Sequence, residues 1–163
     1  MKRQRGDYVF AIARICLGLI FLWAFFDKLL GLGFATTPEK AWLAGGSPTA
    51  GFLSNAVHGP FQSFYNSLAG LAIVDWLFML GLLFIGLALV LGIMINIAAY
   101  SGAVLMFSMW TSLLPPANHP FLDEHIIYIL LLIGLSRIES GRVLGLGKYW
   151  SGLSFIKKHK FLE

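Results

Sequence analysis

Acidic, basic and imidazole side chains lie at the ends of the apolar segments of this chain, where they could carry protons or bind an anion. These groups close the first apolar segment, begin the second and open the last: Asp27, Lys28, Asp75, Asp123, Glu124 and His125. The stretches between apolar segments add two histidines and a lysine: His58, His119 and Lys40. Carboxyl, ammonium and imidazole groups are the usual participants in acid–base catalysis. We therefore expect them to gather at one end of a helical bundle.

The spacing of residues predicts how two of the segments would bring these groups together. In the first segment, residues at intervals of four, three, four and three share one helical stripe: Arg14, Gly18, Phe21, Phe25 and Lys28. The last segment repeats these short intervals: Asp123, Ile127, Leu130, Gly134 and Arg137. If the two helices pack through these stripes, Lys28 meets Asp123 or Glu124, and the two glycines permit close approach. The two arginines then lie in the layer at the opposite end.

The same charges also have simpler interpretations. Charged side chains near the ends of membrane spans often extend to the lipid head groups, and a pair such as Lys28 and Asp123 can lock two helices together. Arg14 and Arg137 could set the topology or contact lipid phosphates. Asp75 could cap the second span. Proton transfer, helix locking and lipid contact therefore stand as alternatives.

Metal, haem and nucleotide sites are not predicted. His119 and His125 are six residues apart across Pro120, whereas two ligands on one helical face need a spacing of three or four. No histidine lies in the interior of a predicted span, away from its ends, to ligate haem, and the chain has no P-loop or dinucleotide-binding glycine motif. Cys16 is the only cysteine, so one chain has neither an internal disulfide nor a dithiol redox centre.

The composition is typical of a membrane protein. Hydrophobic residues make up 58% of the 163 residues and charged residues only 12%, about half the charged share of a soluble domain. We predict one all-α domain over residues 1–163, an integral membrane four-helix bundle with spans near residues 8–30, 72–94, 95–114 and 121–138. The basic residues cluster near the termini, not over a soluble face, which argues against nucleic-acid binding.

Charge asymmetry predicts the orientation of the bundle. Nine lysines and arginines flank the first and last spans, whereas the opposite side has Lys40, with Lys28 at its rim. By the positive-inside bias, both termini are expected in the cytoplasm and the protein in the cell (plasma or inner) membrane. Residues 32–71 predict a partly helical outer cap, with a helix start at Thr37 and Pro38. Residues 139–163 predict an interfacial cytoplasmic tail.

Four segments resemble the DoxX family of membrane proteins. RICLGLIFLWAFFDK (residues 14–28) is similar to the first span of that family. WLAGGSPTAGFL (42–53), DWLFMLGLLFIGLALVLG (75–92) and NHPFLDEHIIYILLLIGL (118–135) look more specifically like DoxD, the membrane subunit of archaeal thiosulfate:quinone oxidoreductase. The resemblance covers most of the chain and implies a four-helix membrane bundle. It also implies oxidation of thiosulfate, or of a related sulfur compound, with electron transfer to membrane quinone.

Mapped onto this sequence as a hypothesis, that reaction assigns three sets of residues. The catalytic candidates are Asp27, Lys28, Asp123, Glu124 and His125. The candidates for binding an anionic substrate are Lys40, His58, His119, Arg14 and Arg137. The candidates for flanking a quinone ring are Phe21, Phe25 and Trp110.

The resemblance also implies partners, and two other functions fit the same residues. A DoxA-like subunit or a soluble redox enzyme would join the chain, which would contact membrane lipid and could form a homo-oligomer. The first alternative function is a non-catalytic membrane scaffold for redox or oxidative-stress enzymes. The second is a small transporter, in which Arg14 and Arg137 would form an inner anion site.

Overall fold

The structure, a computed structural model, describes residues 5–138 and 140–162 as an all-helical chain. Its α-helices are α1 (Arg5–Leu30), α2 (Ala50–Asn55), α3 (Gln62–Ser67), α4 (Ala72–Leu91), α5 (Ile95–Ser112), α6 (Glu124–Arg137), α7 (Gly147–Gly152) and α8 (Ser154–Lys158). Single turns of 3-10 helix occur at Pro38–Lys40, Trp42–Ala44, Ser140–Arg142 and Lys160–Leu162. The predicted all-α class is confirmed. Lys2 and Arg3, from the predicted cytoplasmic basic flank, lie outside the described residues.

Two glycines end the longest helices. Gly31 follows α1 with φ +68° and donates its N–H to the Asp27 carbonyl at 2.8 Å. Gly92 follows α4 with φ +74° and donates to the Ala88 carbonyl at 2.9 Å. Glycine adopts this left-handed conformation without the steric cost of a side chain. Residues 92–94 then form a tight turn, and α5 runs back along α4.

The four long helices are antiparallel neighbours in chain order. α1 packs along α4: a methyl group on Gly18 would lie 2.9 Å from the Leu89 Cβ, and Gly86 gives room to Leu22. α5 packs along α6, where Gly102 faces Leu132. The contact between α4 and α5 joins these two pairs. Small residues at the crossings let the backbones approach closely.

The prediction that the first span packs against the last is wrong, because α1 packs against α4. α1 and α6 touch only slightly, and Gly18 packs against α4 instead. The stripe on α6 faces outward: Ile127 and Leu130 are 57% and 63% exposed, and the space beside Gly134 is open. α4 is the better partner because its surface is apolar along its length and carries Gly86 where Leu22 must fit.

Two of the helices are long and apolar enough to cross a membrane, namely residues Gly6–Leu30 and Ala72–Leu91. Only 33% and 39% of their most apolar windows are buried inside the protein. The core of a soluble protein would enclose most of such a helix. These two helices therefore present much of their apolar surface to the surroundings.

The two ends of the bundle differ in what covers them. Residues 31–71, called the cap below, cover the end where α1 stops and α4 starts; this is the capped end. The cap contains the predicted helix start, with Thr37 before Pro38, and the short helices α2 and α3. Residues 140–162, called the tail, cover the opposite or tail end. Ile156 anchors the tail and is only 2% exposed.

Candidate functional site

Asp27 at the capped end holds the first loop of the cap. It is 2% exposed, and its two carboxylate oxygens accept the backbone N–H groups of Phe34 at 3.2 Å and Ala35 at 3.0 Å. A buried carboxylate is stable when such donors compensate for the lost water. Both oxygens of Asp27 are therefore engaged by the protein itself.

Asp75 binds a different part of the cap. One of its oxygens accepts the Ser47 hydroxyl at 2.9 Å, the Thr49 hydroxyl at 2.6 Å and the Thr49 backbone N–H at 3.1 Å. The interpretation of Asp75 as the cap of the second span is wrong, because Leu71 occupies that position with no side-chain hydrogen bond. Asp75 instead fastens residues 47–49 onto α4.

Asp123 and His125 form a pair at the start of α6. The Asp123 carboxylate caps the helix by accepting the backbone N–H of His125 at 3.0 Å, and its second oxygen lies 2.8 Å from His125 Nδ1. Glu124 is exposed beside them, and one ligand atom from each of the three lies within 4.8 Å of the others. Among the described residues, His125 Nε2 has no hydrogen-bond partner. The carboxylate fixes the ring so that this nitrogen remains open.

Lys28 is half-buried and lies beside α4. Its Nζ is 5.9 Å from the centre of the Phe78 ring, a distance typical of a cation–π contact. Within the described residues no ion pair joins Lys28 to Asp123 or Glu124, so the expected contact between them is wrong. Because α1 pairs with α4, Lys28 projects towards that helix.

The three substrate-binding candidates around the cap have different surroundings. Lys40 is exposed at the end of a 3-10 turn. His119 is exposed in the loop before α6, where its Nδ1 accepts the N–H groups of Phe121 at 3.1 Å and Leu122 at 3.0 Å. This nitrogen shapes the loop and leaves Nε2 as the outward-facing atom.

His58 docks the cap onto the end of α5. Its backbone N–H donates to the Ser112 carbonyl at 3.2 Å, while its ring nitrogens lie 3.1 Å from the Ala56 carbonyl and 3.2 Å from the Pro115 carbonyl. Carbonyl oxygens only accept hydrogen bonds, so both contacts form only with the protonated ring. The hydrogen bonds to Ala56 and then to Pro115 raise the pKa of His58 above its ordinary value.

The aromatic candidates for a quinone site belong to the interior or to a loop contact. Phe21 and Phe25 are 3% and 8% exposed and pack in the core formed with α4. Trp110 donates its indole N–H to the Phe121 carbonyl at 2.9 Å. This bond fastens the loop before α6 to the last turns of α5.

Arg14 is the most completely enclosed charge at the tail end. Its side chain has no exposed surface and donates to four backbone carbonyls: Leu89, Val90 at 3.1 Å, Val143 at 3.1 Å and Leu144 at 2.9 Å. The first two carbonyls belong to the last turn of α4, which lacks intrahelical donors. Arg14 therefore closes α4 and ties the tail to it, which leaves little room for an anion.

Arg137 is exposed at the end of α6, separate from the Arg14 cluster. Its Nη2 lies 3.2 Å from the Tyr100 hydroxyl. Tyr100, Ser47 and Thr49 were not predicted as site residues from the sequence, although each contacts a charged candidate. The signal for Ser47 and Thr49 was their position around Pro48 just before a short helix, where hydroxyl side chains accept or donate local bonds.

No protein-family model, curated protein or solved structure matches this chain. The structure brings Asp123, Glu124 and His125 together, sets Lys28 against α4, and separates Arg14 from Arg137. In the Asp123–His125 pair, the ring nitrogen Nε2 is free to bind or exchange a proton with a ligand, because no described residue hydrogen-bonds to it.

Proposed function

We propose that the chain is a four-span membrane protein with both termini in the cytoplasm. Support comes from large apolar side chains that are more than half exposed on each of the four long helices: Val9, Leu77, Val104 and Leu130. Lipid is the environment in which such a surface is stable. The excess of basic residues near both termini gives the orientation.

The short last helix bears on where the Asp123–His125 pair lies. α6 has 14 residues and is therefore about 21 Å long, against about 30 Å for the hydrocarbon layer. If α6 ends at the cytoplasmic head groups, its first residues, beside Asp123, lie below the outer surface of the bilayer. A quinone dissolved in the membrane would reach a group at that depth.

The function that we propose is that of a DoxD-like subunit of a thiosulfate:quinone oxidoreductase. Two thiosulfate ions join through a new S–S bond and release two electrons, and a quinone takes up these electrons and two protons to become quinol. The Asp123–His125 pair carries the proposal, because the carboxylate orients a ring that, as the imidazolium, donates the proton on its open Nε2 to the reduced quinone. Glu124, exposed beside it, would resupply the proton.

Other residues have supporting roles in this proposal. Lys28, Lys40 and His119 contribute cationic or N–H groups at the capped end, where a dianion would arrive. Asp27 acts as a positioning residue, since both of its oxygens hold the cap. The thiosulfate electrons reach the quinone by close approach of the two substrates or through a DoxA-like partner.

Quinone reduction by the reconstituted protein tests the proposal. The full chain in liposomes, with and without its partner, is given thiosulfate and a short-chain quinone, and quinol and tetrathionate are measured together. His125→Ala should lower the rate about 100-fold, the usual effect of removing a proton carrier. His159→Ala is the matched control, since it removes an imidazole from the tail end. Equal rates for wild type and His125→Ala would refute the role of the pair.

The membrane topology needs a separate measurement. In a chain with Cys16 replaced by serine, single cysteines at Lys40 and Lys157 are exposed to a membrane-impermeant thiol reagent in intact cells. Labelling at position 40 and protection at position 157 are expected. The reverse pattern would contradict the orientation, and labelling at both positions would contradict an even number of spans.

A second candidate function is a non-catalytic scaffold that holds redox enzymes at the membrane. The observation in its favour is that the carboxylates of Asp27 and Asp75 accept hydrogen bonds from the cap and hold its shape. This is expected if the cap is a docking surface. A scaffold would show no quinol formation with any partner, yet would retain that partner on the membrane through the cap.

A further inference from the structure

A groove of about 580 Å³ lies at the tail end, away from the Asp123–His125 pair. α5 contributes Asn96 and Tyr100 to it, the end of α6 contributes Ser136 and Arg137, and the tail contributes Phe161. Small-molecule sites in proteins usually have volumes of about 300 to 1,000 Å³. The groove is therefore large enough for a lipid headgroup and the glycerol region that follows it.

A smaller groove of about 230 Å³ continues from the first. The two share Asn96 and Ser136, and the second adds Arg142 and Trp150. The shared residues make the two grooves continuous, and each groove has one arginine in its lining. That arrangement suits an extended anionic group more than a single small ion.

Arg137 and Asn96 are the polar groups of the larger groove that retain bonding capacity. Arg137 uses Nη2 to contact the Tyr100 hydroxyl at 3.2 Å, which fixes the guanidinium above the groove. The Asn96 amide has no hydrogen-bond partner among the described residues. A guanidinium presents parallel N–H groups that match two oxygens of a phosphate.

The wall contributed by the tail is also fixed. The Trp150 indole N–H donates to the Leu162 carbonyl at 2.6 Å, which ties the last turn of the tail to α7. This last turn packs against α5 and carries Phe161 into the lining of the groove. The groove is thus built by three segments of chain.

We propose that this groove binds the phosphate headgroup of an anionic phospholipid. The charge fits, because the guanidinium of Arg137 lines the groove. Lipid is favoured over free phosphate because apolar side chains continue from the groove along the same helices: Val104 on α5 is 68% exposed and Leu130 on α6 is 63% exposed. Acyl chains would lie along that surface. The inference rests on the proposed membrane location and is independent of the redox reaction.

Binding of short-chain phosphatidylglycerol to the full-length protein in a neutral detergent tests this proposal. Arg137→Ala should weaken binding about tenfold, since it removes a charged hydrogen-bond donor from the phosphate. Tyr100→Phe should weaken it about twofold to threefold by freeing the guanidinium, and Arg137→Lys should lie between the two. Lys157→Ala is the matched control, because it removes the same charge from the tail outside the groove, and its effect should stay below about twofold. Tyr100→Phe keeps the test decisive if Arg137→Ala fails to fold.

Competing ligands show whether the groove binds a phospholipid, free phosphate or a quinone. Neither inorganic phosphate nor an uncharged short-chain quinone should displace the lipid at equal concentration, and short-chain phosphatidylcholine should bind more weakly. Displacement by phosphate would identify a free-anion site, and displacement by quinone would identify a quinone site; either result overturns the proposal. Equal losses of lipid affinity in Arg137→Ala and Lys157→Ala would show that general charge attraction holds the lipid, and would overturn the proposal. The quinol assay with His125→Ala reports on the proposed redox function separately.

Discussion

The capped end and the tail end of the bundle both bury charge, but with opposite signs. At the capped end the carboxylates of Asp27 and Asp75 accept hydrogen bonds from the cap. At the tail end the guanidinium of Arg14 donates to backbone carbonyls of α4 and the tail. In each case a buried ion meets uncharged backbone or hydroxyl groups instead of a counter-ion. A charge inside an apolar helix is therefore not, by itself, a sign of chemistry in this protein.

The groups that differ from this pattern are the better functional candidates. His125 keeps Nε2 open, Lys28 faces an aromatic ring and forms no ion pair within 4.0 Å among the described residues, and Arg137 is exposed beside Tyr100. Each has bonding capacity that the fold does not use. The comparison thus separates charges that hold the protein together from charges that remain available to a ligand.

Replacing Arg14 should have the largest effect on stability. Arg14→Met keeps much of the side-chain volume but leaves the carbonyls of Leu89, Val90, Val143 and Leu144 without their donor. We expect the free energy of unfolding to fall by about 3–5 kcal/mol, as when one partner of a buried charge interaction is removed. Denaturant titration in detergent measures this change. Arg137→Met, an exposed control, should change it by about 0.5 kcal/mol or less. Similar values for the two variants would contradict the role of Arg14.

The two buried carboxylates should respond differently to the same substitution. Asp27 uses both oxygens, so Asp27→Asn places an amide N–H₂ against a backbone N–H and should cost about 2 kcal/mol of folding free energy. Asp75 uses one oxygen for all three of its bonds, so Asp75→Asn keeps an acceptor there and should cost about 1 kcal/mol or less. The same titration compares them. A larger loss for Asp75→Asn would reverse this account of the capped end.

The smallest predicted effect concerns pH and the docking of the cap on α5. The pKa of His58 is raised by its contacts with the Ala56 and Pro115 carbonyls. The stabilisation of the docked cap by these contacts is therefore fully present below the ordinary pKa of histidine, about 6.5. It is lost as the pH rises through the raised pKa of His58. Hydrogen exchange at the His58 backbone N–H, corrected for the intrinsic rate, should accelerate over that interval. His58→Gln should abolish the pH dependence, and an unchanged profile in this variant would exclude His58 as its source.

The positions of the helices could be predicted from the sequence, but their pairing could not. Apolar runs and the glycines at 31 and 92 indicate where α1 and α4 end. The stripe through Gly18 is compatible with either α4 or α6 as a neighbour, and the choice depends on how Leu22 fits over Gly86. That fit is a matter of three-dimensional shape, which residue spacing does not describe.

The sequence indicated which residues belong to the candidate site, but not which groups most of them contact. The turn at Asp123, Glu124 and His125 brings these groups together because they are adjacent in sequence. The partners of Asp27 and Arg14 are backbone N–H and carbonyl groups, which every residue possesses and no sequence pattern marks. Asp75 pairs with Ser47 and Thr49 across a long loop, and only the folded cap makes that contact visible.

The bonds of Arg14 also constrain the order in which the chain folds during synthesis. The carbonyls of Val143 and Leu144 lie 129 and 130 residues downstream of the arginine, so they leave the ribosome long after α1. Until then the guanidinium needs water or, in the proposed membrane topology, lipid head groups. Formation of all four Arg14 hydrogen bonds is accordingly among the last steps of folding. A chain released before the tail is made would lack the two bonds to Val143 and Leu144.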